Sequence, residues 1–217
     1  MDQMREGIAW ATVVMDDILV AGRDIGHHDR VLKRVIQWAT SYNLQLNFRK
    51  CLIRQSLVPY VGHLLTAKGV LPDPLKTKAV EKMPRPTDKQ GVKRFLGFVQ
   101  HLGKFIPNLS DTSKPLRDLC KADMEFCWQS AQELSFEKLK QACISAPVLQ
   151  YDDVNQPVEI QADTRQNAGG ACLLQNGNPR AFTSHSLTDT ECCYAMIEKE
   201  MLSIIHATVQ SISILHL

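Results

Sequence analysis

The chain has 217 residues, 44% of them hydrophobic and 22% charged, which is enough for one large domain or two small ones. Its net charge of +2 excludes a globally polybasic or polyacidic protein, no apolar run approaches the length of a membrane span, and the start Met1-Asp2-Gln3-Met4-Arg5-Glu6 is too polar for a signal peptide. The seven cysteines are odd in number and show no zinc-ligand spacing, so reduced thiols in a cytoplasmic or nuclear, non-secreted protein are expected.

Two apolar runs, Ala11-Thr12-Val13-Val14-Met15 and Ile18-Leu19-Val20-Ala21, read as short strands with Asp16 and Asp17 at the tight turn between them. Paired carboxylates in a turn fit either a divalent-metal site or plain solvation. An amphipathic helix follows over 28–41, with Val31, Leu32, Val35, Ile36 and Ala39 on one stripe. Strand-like stretches come at 51–54 and 60–65, then a turn through Ala67-Lys68-Gly69 and a return strand ending at Pro72. Asp73-Pro74 opens a short helix as N-cap and first residue, and Pro84 and Pro86 close it.

Between Tyr60 and Phe105 nine lysines and arginines face three acids, a local excess of six inside an otherwise acidic chain. Such a segment fits a phosphate-tracking surface or a solvated lysine-rich helix face equally well. Thr87 and Gln90 form a candidate capping box for a helix carrying Val92, Phe95, Leu96, Val99, Leu102, Phe105 and Ile106, which Pro107 ends. Lys89, Lys93 and Arg94 lie largely off that stripe and, with Lys104, are the candidate phosphate contacts. A second box, Ser130 with Glu133, starts a helix through Leu134, Phe136, Leu139 and Cys143, and Trp128 ahead of it reads as a packing anchor rather than a base-stacking platform.

From Val158 the period changes to that of strands. Val158, Ile160 and Ala162 lead to Asp163, a second strand spans Gly169 to Leu174, Asn176-Gly177-Asn178 turns, and the return strand is Arg180 to His185. Thr188 with Glu191 caps a last helix through Tyr194, Ile197, Met201, Ile204 and Ile205.

These residues carry a family resemblance. Met15-Asp16-Asp17-Ile18-Leu19-Val20 resembles the catalytic hairpin of reverse transcriptases, with Val14 where the motif has an aromatic residue. Leu46-Asn47, Lys50-Cys51, Tyr60-Val61-Gly62-His63, Gly69-Val70, Phe95-Leu96-Gly97-Phe98, Lys104-Phe105-Ile106-Pro107 and Ser145-Ala146-Pro147-Val148-Leu149 resemble the gypsy-type long-terminal-repeat retrotransposon polyprotein, in that family's order. The last third resembles the opening half of a ribonuclease H fold, with Asp163 and Glu200 at the matching acidic positions and Thr164-Arg165 where small residues usually follow the Asp.

The resemblance implies an α+β fold: a reverse transcriptase palm remnant over 1–72, thumb and connection helices over 73–150, and a truncated ribonuclease H-like domain of antiparallel hairpins plus helix over 151–217. It implies Asp16, Asp17, Asp163 and Glu200 as catalytic and metal-binding carboxylates for Mg²⁺ or Mn²⁺. Tyr60 and Gly62 would sit in a primer-gripping hairpin, the alternative being an ordinary edge hairpin. The implied partner is an RNA–DNA hybrid or primer-template duplex, and the implied chemistry is RNA-directed DNA polymerisation and cleavage of RNA in hybrids. Both sites would need further acidic ligands, so inactivity of this chain alone is expected, and Arg165 would compete with the ion if it pointed inward. The other class is a degenerate or co-opted, non-catalytic nucleic-acid-binding protein.

Overall fold

The computed structural model describes residues 8–14, 17–153 and 155–214, with the side chains of 14 and 211–214 outside the description. It divides into two compact units, 1–67 and 68–217.

In the first unit β1 (Ala11–Val14) pairs antiparallel with β2 (Asp17–Val20), with Val14 opposite Asp17. Asp16 lies outside the described residues. Ala11, Val13, Ile18 and Val20 share one face and pack on Val31 and Val35 of α1 (Ile25–Ser41). The helix begins three residues before the sequence reading because Asp24 is its N-cap, taking a 2.7 Å hydrogen bond from the His27 amide. Residues 51–54 form no strand, which overturns the strand expected there: Arg54 has a φ of 55°, outside the extended region, and its guanidinium pairs with Asp29 of this helix through two contacts.

The strand expected over 60–65 is also two strands. β3 (Leu57–Tyr60) and β4 (His63–Thr66) are antiparallel, with Tyr60 opposite His63. Between them Val61 and Gly62 have φ of 47° and 75°, the two positive values that a two-residue hairpin turn matching strand twist requires. Glycine supplies one freely, whereas valine there is strained. A β-branched residue gave no sequence signal for a turn.

The second unit opens with β5 (Gly69–Pro72), where Val70 exchanges hydrogen bonds of 2.7 and 2.9 Å with Leu149. Asp73 caps α2 (Pro74–Glu81) as the sequence indicates. The core gathers Val80 with Val92, Phe95 and Val99 of α3 (Lys89–His101), Leu109 of α4 (Leu109–Thr112), Leu116 and Leu119 of α5 (Lys114–Leu119), and Phe136, Leu139 and Cys143 of α6 (Ser130–Ile144). Phe95 and Phe136 meet at 4.6 Å between ring centroids. Both caps fall one residue from the expected ones: Asp88 rather than Thr87 caps α3, and Gln129 with Gln132 rather than Ser130 with Glu133 starts α6. Glu133 instead accepts from the Trp128 indole at 2.6 Å, and Trp128 packs on the core, as an anchor should.

Three antiparallel strands, β6 (Glu159–Thr164), β7 (Ala168–Gln175) and β8 (Asn178–Ser186), form a sheet in chain order, followed by α7 (Met196–Ile214). Thr188 and Glu191 do form a reciprocal cap, but it closes a short 3₁₀ turn over Glu191–Cys193. The helix proper starts later, where Glu198 accepts from the Ala195 amide at 2.8 Å. The mixed helix and antiparallel-sheet architecture is the α+β class expected. Among the described residues no helix is long and apolar enough to cross a membrane.

Candidate functional site

Residues directly opposite one another in an antiparallel sheet share a face. The register aligns Thr164 with Gly169 and His185, and Asp163 with Gly170 and Ser184. The two rows face different helices. On the first, the Thr164 hydroxyl lies 2.7 Å from that of Ser203 and 3.3 Å from the Lys199 carbonyl, both in α7. On the second, Ser184 accepts from the Ser110 amide at 3.0 Å, and Asn108 Oδ1 lies 2.3 Å from where a Gly170 Cβ would be, so α4 covers this face. A side chain at Gly169 would similarly fall 2.0 Å from Ser203 Oγ and 2.4 Å from His185 Cε1. The paired glycines let both helices approach the sheet at once.

Asp163 is thereby on the α4 side, while Glu200 belongs to α7 on the other. Both are exposed, and among the described residues no hydrogen bond or ion pair joins them. Asp163 meets Arg165 instead: Arg165 Nε lies 3.8 Å from Asp163 Oδ2, while Nη1 lies 3.1 Å from Asp111 Oδ2 of α4. Asp111 had no signal in the sequence, being one acid in a polar stretch. Ribonuclease H-like domains use divalent metal ions. Among the described residues no three His, Cys, Asp or Glu side chains gather to hold one, and a guanidinium stands beside Asp163. The donor set at Asp163 does not fit such an ion.

In the first unit Asp17 is exposed at the head of β2, on the face away from α1. The Tyr60 hydroxyl is buried without a hydrogen-bond partner among the described residues, and burial, then the Asp17 charge, raises its pKa above the usual phenol value. Gly62 is a turn residue two positions on.

The candidate cations separate into two kinds. Lys93 and Arg94 are exposed on the outer side of α3, and Arg94 borders a shallow cleft with Arg85, Thr87 and Gln90. Lys89 instead donates to the Lys121 and Ala122 carbonyls at 2.5 and 3.4 Å, tying α3 to the end of α5. Lys104 is half-buried over the Phe105 ring at 5.3 Å, and burial lowers its pKa.

Three strands and a helix with an acid on the first strand define a ribonuclease H-like fold, and residues 128–216 match the RNase H-like domain found in reverse transcriptase. The chain is 35% identical over 197 residues to the retrovirus-related Pol polyprotein from transposon 297 of Drosophila melanogaster, and 32% identical over 196 residues to the transposon Tf2-3 polyprotein of Schizosaccharomyces pombe. The chain is thus similar to a segment of the retrotransposon polyproteins, and its C-terminal part matches an RNase H-like domain. These matches cover 90% and 88% of the chain but 19% and 15% of the two polyproteins, so the chain spans less than a fifth of their length. Its fold follows that of the foamy viral protease-reverse transcriptase in complex with an RNA/DNA hybrid, with a TM-score of 0.88 and 21% identity over 98% of this chain and 30% of that one. The foamy viral protease-reverse transcriptase dRH in complex with double-stranded DNA gives a TM-score of 0.87 at 21% identity, over 99% of this chain and 38% of that one.

Proposed function

We propose that the chain is the palm-end, thumb, connection and ribonuclease H-like segment of a retrotransposon reverse transcriptase, that it holds duplex nucleic acid, and that it is catalytically silent by itself. Collinear identity over 90% of its length to a retrotransposon polyprotein carries this reading. The boundaries follow the motifs: palm over 1–72, thumb and connection over 73–150, ribonuclease H-like half-domain over 151–217. Solved structures similar to it include the foamy viral protease-reverse transcriptase bound to double-stranded DNA or an RNA/DNA hybrid, and the exposed Lys93 and Arg94 supply cations suited to such a backbone. Tyr60 and Gly62 belong to the hairpin that would hold the primer, near Asp17.

Asp16 and Asp17 are the polymerase carboxylates of this reading, and Asp163 and Glu200 stand at the nuclease positions for which Mg²⁺ or Mn²⁺ would be the metal, an ion that the donor set at Asp163 does not fit in this chain. The family's chemistry draws on a metal held by several carboxylates. Here Asp163 lies on the face of the sheet that α4 covers, whereas Glu200 belongs to α7 on the other face. That observation favours the second reading, a non-catalytic binding protein, over an active nuclease for the chain as it stands. Seven free cysteines support residence in the cytoplasm or nucleus.

A labelled RNA–DNA hybrid incubated with the chain and Mg²⁺ or Mn²⁺ tests this. Retention without cleavage is the expected result. Cleavage abolished by Asp163→Asn and by Glu200→Gln would show an active nuclease, and failure to retain the hybrid at low salt would remove the binding role.

A further inference from the structure

We propose that Arg165 is the resident cation of the Asp163 site: anchored by Asp111, its guanidinium takes the electrostatic place of a divalent ion and keeps metal off Asp163. The inference rests on reading Asp163 as the nuclease carboxylate. Arg165 is the first residue after β6, and its amide donates to the Ala168 carbonyl at 2.9 Å, which fixes the start of the loop from which the side chain springs. From there one planar group addresses two carboxylates, Asp111 through Nη1 at 3.1 Å and Asp163 through Nε at 3.8 Å. The anchoring partner is the more sheltered one, Asp111 being 28% exposed and Asp163 66%. Solvent and salt therefore weaken the contact with Asp163 more than the hold of Asp111 on the guanidinium.

A guanidinium does not shed its charge in a protein, so Arg165 has no neutral form in which to admit a competitor. A divalent ion on Asp163 would lie a few ångströms from a fixed positive charge. Glu200, in α7, is exposed, and no hydrogen bond or ion pair of its side chain is found among the described residues. The sequence places Thr164-Arg165 where the resembled family has small residues. The structure gives the substitution a partner in Asp111, which turns a lone mismatch into a three-residue arrangement of two carboxylates about one guanidinium.

Mn²⁺ binding, followed by the electron paramagnetic resonance signal of the free ion, tests this without substrate or turnover. Arg165→Ser should bind Mn²⁺ about tenfold more tightly than the unchanged chain, the scale of a unit charge acting on a divalent ion at several ångströms in a largely aqueous setting. Arg165→Gln, which keeps most of the side chain's bulk, should do the same, and adding Asp163→Asn to either should remove the gain. Binding unchanged in both Arg165 variants overturns the proposal; if that binding nevertheless falls with Asp163→Asn, the reading of Asp163 as a metal ligand survives it. A gain that persists without Asp163 places the metal elsewhere and overturns both.

Discussion

The hydroxyl of Thr164 lies 2.7 Å from that of Ser203, and the two residues are 6% and 1% exposed. This buried contact ties the end of β6, one residue beyond Asp163, to the α7 turn that carries Glu200. Each hydroxyl also reaches the Lys199 carbonyl, at 3.3 Å from Thr164 and 3.1 Å from Ser203. Ser203→Ala removes one partner and leaves Thr164 with the carbonyl, so a loss of about 1 kcal/mol is expected. Gly169→Ala should cost more, about 1–3 kcal/mol, because its methyl would overlap Ser203 and His185. Urea denaturation midpoints check both, and a Gly169→Ala chain as stable as the parent would contradict the close approach.

His185 and His206 stack with ring centroids 4.4 Å apart. Burial lowers the pKa of both below the ordinary value of 6.5, the charge of His206 adds to the effect on His185, and Glu191 opposes it there. Between the lowered folded value and the ordinary unfolded one, the unfolded chain binds more protons, so stability falls as pH drops below about 6.5. The loss stops growing once pH passes beneath the folded values. Thermal unfolding between pH 7.5 and 5, above the range where Glu191 and Asp29 titrate, should show this decline, and His206→Gln should flatten it. An equally steep decline in the variant would place the responsible protons elsewhere.

Strand periodicity and turn chemistry made β6 to β8 legible, because Asn176-Gly177 is a turn signal with positive φ at both positions. α7 was legible as a helix but not by its buried face. Its sheet-facing positions are Lys199, Ser203 and Ala207, at 7%, 1% and 3% exposure, whereas Ile197, Met201, Ile204 and Ile205 are exposed. Close approach to Gly169 admits only a small side chain at Ser203, and the buried face also carries Lys199, whose ammonium donates to the Cys192 carbonyl, so hydrophobic periodicity pointed to the wrong side. The Asp163–Arg165–Asp111 grouping was hidden for another reason: its members are 54 residues apart at the extremes (165 − 111), and only the docking of α4 on the sheet unites them.

The nucleic-acid surface should follow the division among the cations. Lys93→Glu with Arg94→Glu removes two exposed charges and should lower the slope of log affinity against log salt by about two for a duplex. Lys89→Ala should leave that slope unchanged and lower stability instead, since its ammonium serves two carbonyls at the end of α5. Filter binding from 50 to 200 mM salt, beside a denaturation curve for each variant, separates the two effects. A slope insensitive to the double substitution would mean that duplexes bind elsewhere.

The outer side of α7 makes the opposite claim from its sequence. Ile197, Met201, Ile205 and Val209 recur at helical spacing, and all are more than half exposed, at 69%, 59%, 56% and 59%. Apolar side chains already in water lose little when replaced by charged ones, so Ile197→Lys with Ile205→Lys should change stability by no more than about 0.5 kcal/mol per site. Ala207→Lys, at a position 3% exposed against the sheet, should be severely destabilising because it buries a charge. The same double substitution should reduce concentration-dependent association in sedimentation runs, since contiguous exposed apolar surface promotes contact between molecules. If Ile197→Lys with Ile205→Lys unfolded the chain as Ala207→Lys does, the helix would be packed through its isoleucine side and the Thr164–Ser203 contact would lose its place in the fold.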